Sequence, residues 1–553
     1  MTPRDPLAPL GVLDRLEVGP PRLEPRRLVA PYTVVRGGRR ETTQLAYRYG
    51  EDVFDPRAPA DRNLAALAAA QLALNYGLFA DEIVLRGPFD PADRDFLAAM
   101  AENTAREIYV KKFLEPNPFL VGDAADLPAV RRDRYLRARL VFPDGIDEPA
   151  PADGWGSVAG HDGAAPASGA RTHARGAKPR AAPPPSHAIL ASGGKDSLLT
   201  QGLLEEAGAA PLAVFVNESG RHWFTAMGAH HRLAATRPER TARVWTTSDR
   251  VFAWMLGRLP MVRGDFARIR SDEYPVRLWT VAVFLFGALP VVRRRGAGRL
   301  LVGDEYDTSR RVRRAGIPHY DGLYDQSIWF DAALTRFYRR KGWPLEQLSL
   351  LRPLSELLIQ GILAARYPEL HALQVSCHAA HVQDGRVRPC GRCEKCRRIV
   401  GMHLALGADP AACGYSSEAV RRSLEALSSK EVHQEAAGSR HMLWLLRKRG
   451  LLEPAGGLRA EERPEVVRLR FHPEVSPAEA IPPDLRAPLF RAWLDHAEGA
   501  LERREGSWRP VDPLEEAFLS RPYRYAKGTA ARPAPGAGAA SGGERAPEPE
   551  ERT

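Results

Sequence analysis

The 553-residue chain carries 79 basic against 68 acidic side chains, a formal net charge of +11, and is long enough for roughly two or three domains with substantial cores. No apolar run reaches the roughly 18 residues of a bilayer span, the longest being Leu278 to Val292, and no apolar signal core opens the chain, so a cytoplasmic protein without a membrane partner is expected. The basic excess does not single out nucleic acid, because only nine of the cations are lysines and the arginines are scattered, with local runs at Arg293-Arg294-Arg295 and Arg310-Arg311-Val312-Arg313-Arg314.

In chain order, residues 28–141 pattern as an α+β unit. Tyr32-Thr33-Val34-Val35, a Gly37-Gly38 turn and Thr42 to Tyr49 give a hairpin signal. An Ala/Leu helix is expected from Asn63 to Leu78, a short strand from Glu82 to Leu85, and a helix from Pro91 into Tyr109-Val110-Lys111-Lys112. Those last cations suit either the helix dipole or a large substrate. Residues 144–185 are almost wholly Pro, Ala, Gly, Ser and isolated charges. Such a segment has too little apolar surface to order itself, so a disordered linker is expected there, after an N-terminal domain at 1–143.

From 186 to 416 strands and helices alternate: strand His187 to Ala191, helix Ser197 to Ala207, strand Ala213 to Val216, a helix, strand Arg243 to Thr246, helix Val276 to Leu289, strand Arg299 to Val302. This order predicts an α/β, doubly wound parallel sheet that binds ligands at the carboxyl ends of its strands. The functional loops are then Ser192–Ser197, Asn217-Glu218-Ser219, Ser248-Asp249 and Gly303-Asp304-Glu305. Residues 417–526 pattern as mostly helical with Pro breaks, and 527–553 as a disordered tail.

Two motifs carry chemistry. The first is Ser192-Gly193-Gly194-Lys195-Asp196-Ser197, directly behind the apolar run Ala188-Ile189-Leu190-Ala191 and ahead of a Leu-rich helix. Glycines let the backbone approach an anion closely, a helix N-terminus aims N–H groups at it, and two hydroxyls flank it. The loop is not that of the kinases and GTPases: Ile189 stands where that pattern wants Gly, and Asp196 where it wants Ser or Thr. A plain Gly-Gly turn before a capped helix is the bland alternative.

The second is Cys377-x12-Cys390-x2-Cys393-x2-Cys396, four of the chain's five cysteines within twenty residues. Clustered thiols in a reducing compartment argue for metal rather than disulfides. Four thiolates close a tetrahedral Zn²⁺ shell and make it structural. An iron–sulfur cluster is the rival. His378 and Cys413 are read as lying outside the shell.

The glycine loop resembles the SGGxDS loop of the N-type ATP pyrophosphatases, which implies an adenine-nucleotide alpha-hydrolase-like fold and cleavage of ATP to AMP and pyrophosphate. The knuckle Cys390-Gly391-Arg392-Cys393-Glu394-Lys395-Cys396 is similar to that of the 7-cyano-7-deazaguanine synthase family, which adenylates a carboxylate and binds zinc, although the gap from Cys377 is slightly longer. A longer stretch, Ser349-Leu350-Leu351-Arg352-Pro353-Leu354-Ser355-Glu356-Leu357, then Arg366-Tyr367-Pro368 and Ser376-Cys377, looks like the ATP-dependent epimerase family acting on UDP-N-acetylmuramoyl-L-alanyl-L-glutamate. That family's proposed route activates the terminal glutamate carboxylate as an acyl-adenylate. The resemblance covers residues 186–410 and departs at Gly303-Asp304-Glu305-Tyr306-Asp307-Thr308, which bears on the substrate more than on adenylation.

On this resemblance, the N–H groups of Gly193, Gly194 and Lys195 hold the pyrophosphate, the Ser192 and Ser197 hydroxyls complete the cradle, and Lys195 neutralises charge as the α–β bond breaks. Asp196 is the Mg²⁺ ligand or a helix-capping residue. Asp304, Glu305 and Asp307 hold a second metal, a substrate ammonium or a proton, or are turn carboxylates paired with Arg310 to Arg314. His319 is the candidate general base, and Tyr324 sits in a loop able to close over substrate. Arg352 either clamps an anion or pairs with Glu356. Asn217 and Arg277 are placed near the nucleotide. The expected partners are ATP, Mg²⁺, structural Zn²⁺ and a small-molecule carboxylate, not nucleic acid. The first candidate activity is a peptidoglycan-precursor epimerase. A deazapurine nitrile or amide synthase, a tRNA-modifying adenylase and a non-catalytic nucleotide-binding subunit are the rivals.

Overall fold

Gly37 and Gly38 both take positive φ, +54° and +77°, as a two-residue hairpin turn requires, and Arg36 pairs with Arg39 across them. In the computed structural model this turn joins the longest strands of the chain. The structure describes residues 5–151, 186–218, 221–269, 275–377, 379–430, 432 and 435–526.

The first part contains β1 (Leu13–Val18), β2 (Arg22–Glu24), β3 (Arg27–Arg36), β4 (Arg39–Tyr49), α1 (Pro59–Ala70), β5 (Ala80–Leu85), α2 (Pro91–Ile108) and β6 (Arg139–Val141). The expected helix to Leu78 is α only to Ala70 and then tightens into a 3₁₀ turn over Gln71–Tyr76. Asp90 and Asp93 make a reciprocal capping box that starts α2, with Pro91 in its first turn. Residues 144–151, assigned to the linker from composition, are mostly exposed but tied to the fold at two points: Ile146 N–H donates to the Phe89 carbonyl, and buried Ala150 donates to Asp90. The rest of the expected linker, the tail from Lys527, Ser219 and His378 lie outside the described residues.

The second part contains β7 (His187–Ala191), α3 (Lys195–Glu206), β8 (Leu212–Asn217), α4 (Arg221–Thr236), β9 (Thr241–Thr246), α5 (Ser248–Leu256), α6 (Val281–Arg294), β10 (Arg299–Leu301), the ribbon β11 (Arg311–Arg314)–β12 (Ile317–Tyr320), α7 (Ile328–Arg340) and β13 (Glu346–Leu348). Strands β13, β10, β7, β8 and β9 are parallel in that spatial order. The chain runs outward from β7 in one direction, then returns to place β10 on its other side. A switch point therefore opens between β7 and β10, where an α/β sheet binds ligands.

Both faces of this sheet are buried, which explains the continuous apolar strands. Ala188, Val214 and Leu300 pack towards α6 on one face, while Ile189, Phe215 and Leu301 pack towards α3 and the later helix α8 (Glu356–Arg366) on the other. Helix α6 begins at Val281, five residues later than expected. Before it, Leu278 and Trp279 donate their N–H groups to Asn75 Oδ1, which takes these donors outside any helix.

The sheet does not end at β9. Strand β4 pairs antiparallel with β9, so the described strands form one eleven-stranded sheet in the order β13-β10-β7-β8-β9-β4-β3-β1-β5-β6, with β2 on β3. Tyr47 and Tyr49 donate hydroxyl protons to carbonyls of α6, and the Lys341 ammonium is buried against Asp90 and Asp93. The first and second parts thus share one sheet and one apolar core.

The last part contains α8 (Glu356–Arg366), α9 (Pro368–His371), the ribbon β14 (His381–Gln383)–β15 (Arg386–Arg388), α10 (Glu394–Leu406), α11 (Ser417–Leu427), α12 (Ala436–Lys448), β16 (Leu469–Phe471), α13 (Pro483–Leu494), β17 (Ala500–Arg504), β18 (Ser507–Val511) and α14 (Glu516–Leu519). The mostly helical expectation misses the three-stranded sheet β16-β17-β18. Its strands are short, and Pro510 interrupts the β pattern of the outer one, where a missing N–H is tolerated. Phe471, Phe490, Trp493 and Phe518 pack this part against α3 and α8. Among the described residues, no helix is long and apolar enough to cross a membrane.

Candidate functional site

A cleft of about 310 Å³ lies at the switch point, floored by Ser192, Gly194, Asp196 and Ser197 on one side and Gly303 on the other. Gly193 has φ +73°, and a Cβ there would lie 2.5 Å from the Thr225 carbonyl oxygen of α4. Only glycine allows that turn under that helix. Gly194 then begins α3 without any side-chain cap. The first-turn N–H groups of a helix have no intrahelical partner, so an uncapped N-terminus presents donors and a positive dipole end to the cleft. The two hydroxyls brace the loop: Ser192 Oγ and Ser197 Oγ lie 3.3 Å apart, Ser192 N–H donates to Ser197 Oγ (3.2 Å), and Gly194 N–H donates to Ser192 Oγ (3.3 Å). A Cβ on Gly303 would stand 2.6 Å from Asp196 Cβ, so the loops after β7 and β10 abut.

Beside this floor Lys195 turns away from the open space. Its ammonium is buried and meets Asp196 Oδ1 at 2.7 Å, Glu305 Oε2 at 3.0 Å and Glu356 Oε1 at 3.2 Å. Burial disfavours its charge, but Asp196, Glu305 and Glu356 outweigh it and hold the lysine well above its ordinary value. Burial likewise opposes ionisation of Glu356, yet Lys195 and Arg398 win and keep it below the usual range. In Glu305 burial wins over Lys195, and its carboxyl is raised. Asp307 is pushed up to about 7 by burial first and then by Glu435 and Glu356. Lys195 is thus the centre of a charge cluster instead of the free phosphate cation expected of it.

The cleft's other wall comes from the cysteine segment. Val375 N–H donates to the Gly193 carbonyl (3.2 Å), and Val375, Ser376, Cys377 and Lys395 all line the cleft. Ligand atoms of Cys377, Cys390, Cys393 and Cys396 lie within 4.8 Å of one another and could hold a metal ion such as zinc. Cys377 Sγ and Cys393 Sγ are 4.0 Å apart, and Cys390 Sγ and Cys396 Sγ 3.8 Å. A tetrahedron with metal–sulfur bonds of 2.3 Å has edges of about 3.8 Å. Backbone N–H groups of Ala379 and Cys390 donate to Cys377 Sγ, and those of Arg392 and Cys393 to Cys390 Sγ, as thiolates need.

The fifth cysteine stands apart, as expected. Cys413 Sγ lies 3.3 Å from His371 Nε2 and 3.6 Å from His403 Nε2, and all three groups are buried. His403 Nδ1 is 2.8 Å from the Ile399 carbonyl oxygen, so its proton sits there and Nε2 accepts from His371 Nε2 at 2.6 Å. The thiol donates to the His371 carbonyl. The ligand atoms of these three residues also lie within 4.8 Å of one another, close enough to hold a metal ion.

Other expected site residues are placed elsewhere. Arg352 is buried and bonded to Asp331, Ser309 and the Gln326 carbonyl, with Asp304 at 3.5 Å. This corrects both readings of Arg352: its donors are committed inside the protein, and neither a substrate nor Glu356 takes them. Asp304 is correspondingly a core group, its carboxyl raised by burial despite Arg352. Tyr324 is half-buried and packs against Trp279, Tyr320 and Phe330, away from the cleft lining. His319 lies in β12 with Nδ1 3.4 Å from the Ile317 carbonyl, away from the cleft lining, and burial lowers its pKa. Asn217 faces a separate cavity lined also by Arg48 and Trp245, because strand alternation sends Val216 and Glu218 to the cleft instead. Arg277 meets Glu218 at 3.9 Å, beside the cleft.

Sequence reasoning missed Ser376 and Lys395 as cleft residues and Glu356 as a partner of Lys195, whereas Glu218 belongs to one of the expected loops and does line the cleft. Lys395 had a usable signal, a lysine in a lysine-poor chain between two candidate ligands. No protein-family model matches the chain, and no curated protein matches it.

Proposed function

We propose that this chain is an ATP-dependent enzyme that forms AMP and pyrophosphate while activating a carboxylate on a small molecule. The observation that carries the reading is the uncapped N-terminus of α3, behind a two-glycine turn, on the floor of a cleft at the sheet's switch point. A substrate carboxylate oxygen attacks the α-phosphorus, the α–β bridging bond breaks, and the diphosphate leaves into the first-turn N–H groups of α3. Ser192 and Ser197 hold the loop's shape for that charge. Lys195 acts one layer back: it balances the carboxylates of Asp196, Glu305 and Glu356, which would otherwise repel a polyanion.

Asp196 lines the cleft and receives the Lys195 bond at Oδ1, which suits it to share a Mg²⁺ with phosphate oxygens. Bound Mg²⁺ would supply charge neutralisation on the departing diphosphate. We assign the four-thiolate knuckle to a structural Zn²⁺, because the sulfur spacing fits a single ion, whereas a cluster spreads its thiolates over separate irons. The first carboxylate to test is the terminal glutamate of UDP-N-acetylmuramoyl-L-alanyl-L-glutamate, on the resemblance of the segment Ser349 to Leu357, which here delivers Glu356 to Lys195.

The test is product analysis. Zinc-loaded full-length protein, ATP and Mg²⁺ are offered a panel of carboxylates that includes the muramoyl dipeptide and a carboxydeazapurine with ammonium. AMP and pyrophosphate should appear together with one of them, and product stereochemistry then separates epimerisation from condensation. Release of ADP and orthophosphate would refute the reading.

A further inference from the structure

The cleft is short of cations. Asp196 and Glu218 line it, Glu305 and Glu356 stand behind Asp196, and their basic partners are spent: Lys195 on three carboxylates, Arg398 on Glu356 (3.4 Å), Arg277 at 3.9 Å from Glu218. Lys395 is the one cationic residue that lines the cleft among the described residues, and no described carboxylate or carbonyl takes a hydrogen bond or ion pair from its ammonium. Burial first, then Arg398 and Lys195, disfavour its charge, while Asp196 and Glu356 attract it from within the same site.

Its mount is unusual. Lys395 lies in the first turn of α10, between Cys393, at the N-cap position, and Cys396. Both thiols belong to the converging set of four, and the first of that set, Cys377, shares the cleft wall with Lys395. The same strip of chain is tied to the glycine loop through the Val375–Gly193 hydrogen bond. A metal held by the four sulfurs therefore fixes the backbone on both sides of Lys395, and a long flexible cation becomes a positioned one.

We propose that Lys395 is the cationic contact for a phosphate chain bound in the cleft, and that the four-thiolate knuckle is the mount that holds it there. The inference rests on the reading of the cleft given under Proposed function and extends it: phosphate recognition is divided between the N–H groups of α3 and an ammonium carried by the metal knuckle.

The experiment uses full-length, metal-loaded protein and inorganic pyrophosphate as the probe, with binding followed by calorimetry. Lys395→Ala should weaken pyrophosphate binding tenfold or more, and Lys395→Arg should recover it to within about threefold, with metal content and melting temperature unchanged in both. In protein loaded with Co²⁺, pyrophosphate should shift the visible absorption of the thiolate-bound ion in the wild type and not in K395A. If K395A binds pyrophosphate as the wild type does while Gly193→Val abolishes binding, the cleft keeps its ligand and the role of Lys395 is refuted. If K395A weakens binding but the cobalt spectrum of the wild type does not respond, the knuckle is not the mount. If the wild type binds no pyrophosphate with or without Mg²⁺, this proposal and the reading beneath it fall together.

Discussion

Replacing Gly303 by alanine tests the geometry of the site most directly. A Cβ there meets Asp196 Cβ at 2.6 Å, the Asp196 carbonyl carbon at 2.9 Å and Ser197 N at 3.1 Å. Ordinary contact begins at 3.4 Å, so the loops after β7 and β10 must separate by about 0.8 Å. None of these atoms is the far end of a flexible side chain; what has to move is the first turn of α3. Overpacking of this kind costs about 1–3 kcal/mol of stability. A displacement near 1 Å in groups that position a reaction can cost on the order of 100-fold in turnover. G303A should therefore lose modest stability in a denaturant titration and far more of its AMP-forming activity. Gly361→Ala in α8 is the control, because its added Cβ meets only Leu406 at 3.6 Å, and a helical alanine should gain up to about 1 kcal/mol. If G303A matched the wild type within twofold in turnover and did not move the denaturation midpoint, the abutting loops would not be the frame of the site.

Further outcomes are expected from the charges and the metal. Lys195→Met leaves Asp196, Glu305 and Glu356 without their buried cation, so it should destabilise the fold by about 3–5 kcal/mol, with lost turnover a consequence; a midpoint unchanged in urea would show that the cluster is not buried as described. In protein loaded with zinc, Cys393→Ser should lower the metal retained towards none and open the segment 377–413 to protease, and a variant that loads as the wild type does would exclude Cys393 as a ligand. Burial pushes the Asp325 carboxyl from 3.8 up to about 6, against three backbone donors in α6 and the turn before it. The folded chain therefore holds that proton more tightly than the unfolded chain does, so this group's contribution is greatest below pH 4 and is lost as pH rises to about 6. Asp325→Asn should flatten that part of the stability profile, and an unaltered slope would show that the carboxyl does not titrate there.

Local chemistry made much of this readable from residues alone. The hairpin at Gly37-Gly38, the strand before Ser192 and the thiol cluster each depend on neighbours a few positions away, so spacing reveals them. Pairing between distant strands has no such signature. Nothing near Tyr47 or Trp245 announces that β4 will lie against β9 and carry the sheet across the region between them. Side-chain direction fails the same way: Arg352 and Lys195 look like free cations in a list of residues, and only folding shows that buried carboxylates have claimed both. An aromatic such as Tyr324 in a Gly-containing segment suits an open loop and a packed one equally until its neighbours are known.

The amino-acid order by itself determined that a strand feeds a glycine turn and a helix, that four thiols sit at metal-binding spacing, and that strands alternate with helices, because backbone preference and ligand spacing act over short stretches. Tertiary structure alone decided which charges are spent and which face open space. It seats Lys395 of the knuckle beside a loop two hundred positions earlier in the chain, since burial and ion pairing depend on what the fold brings near and not on what the chain places next.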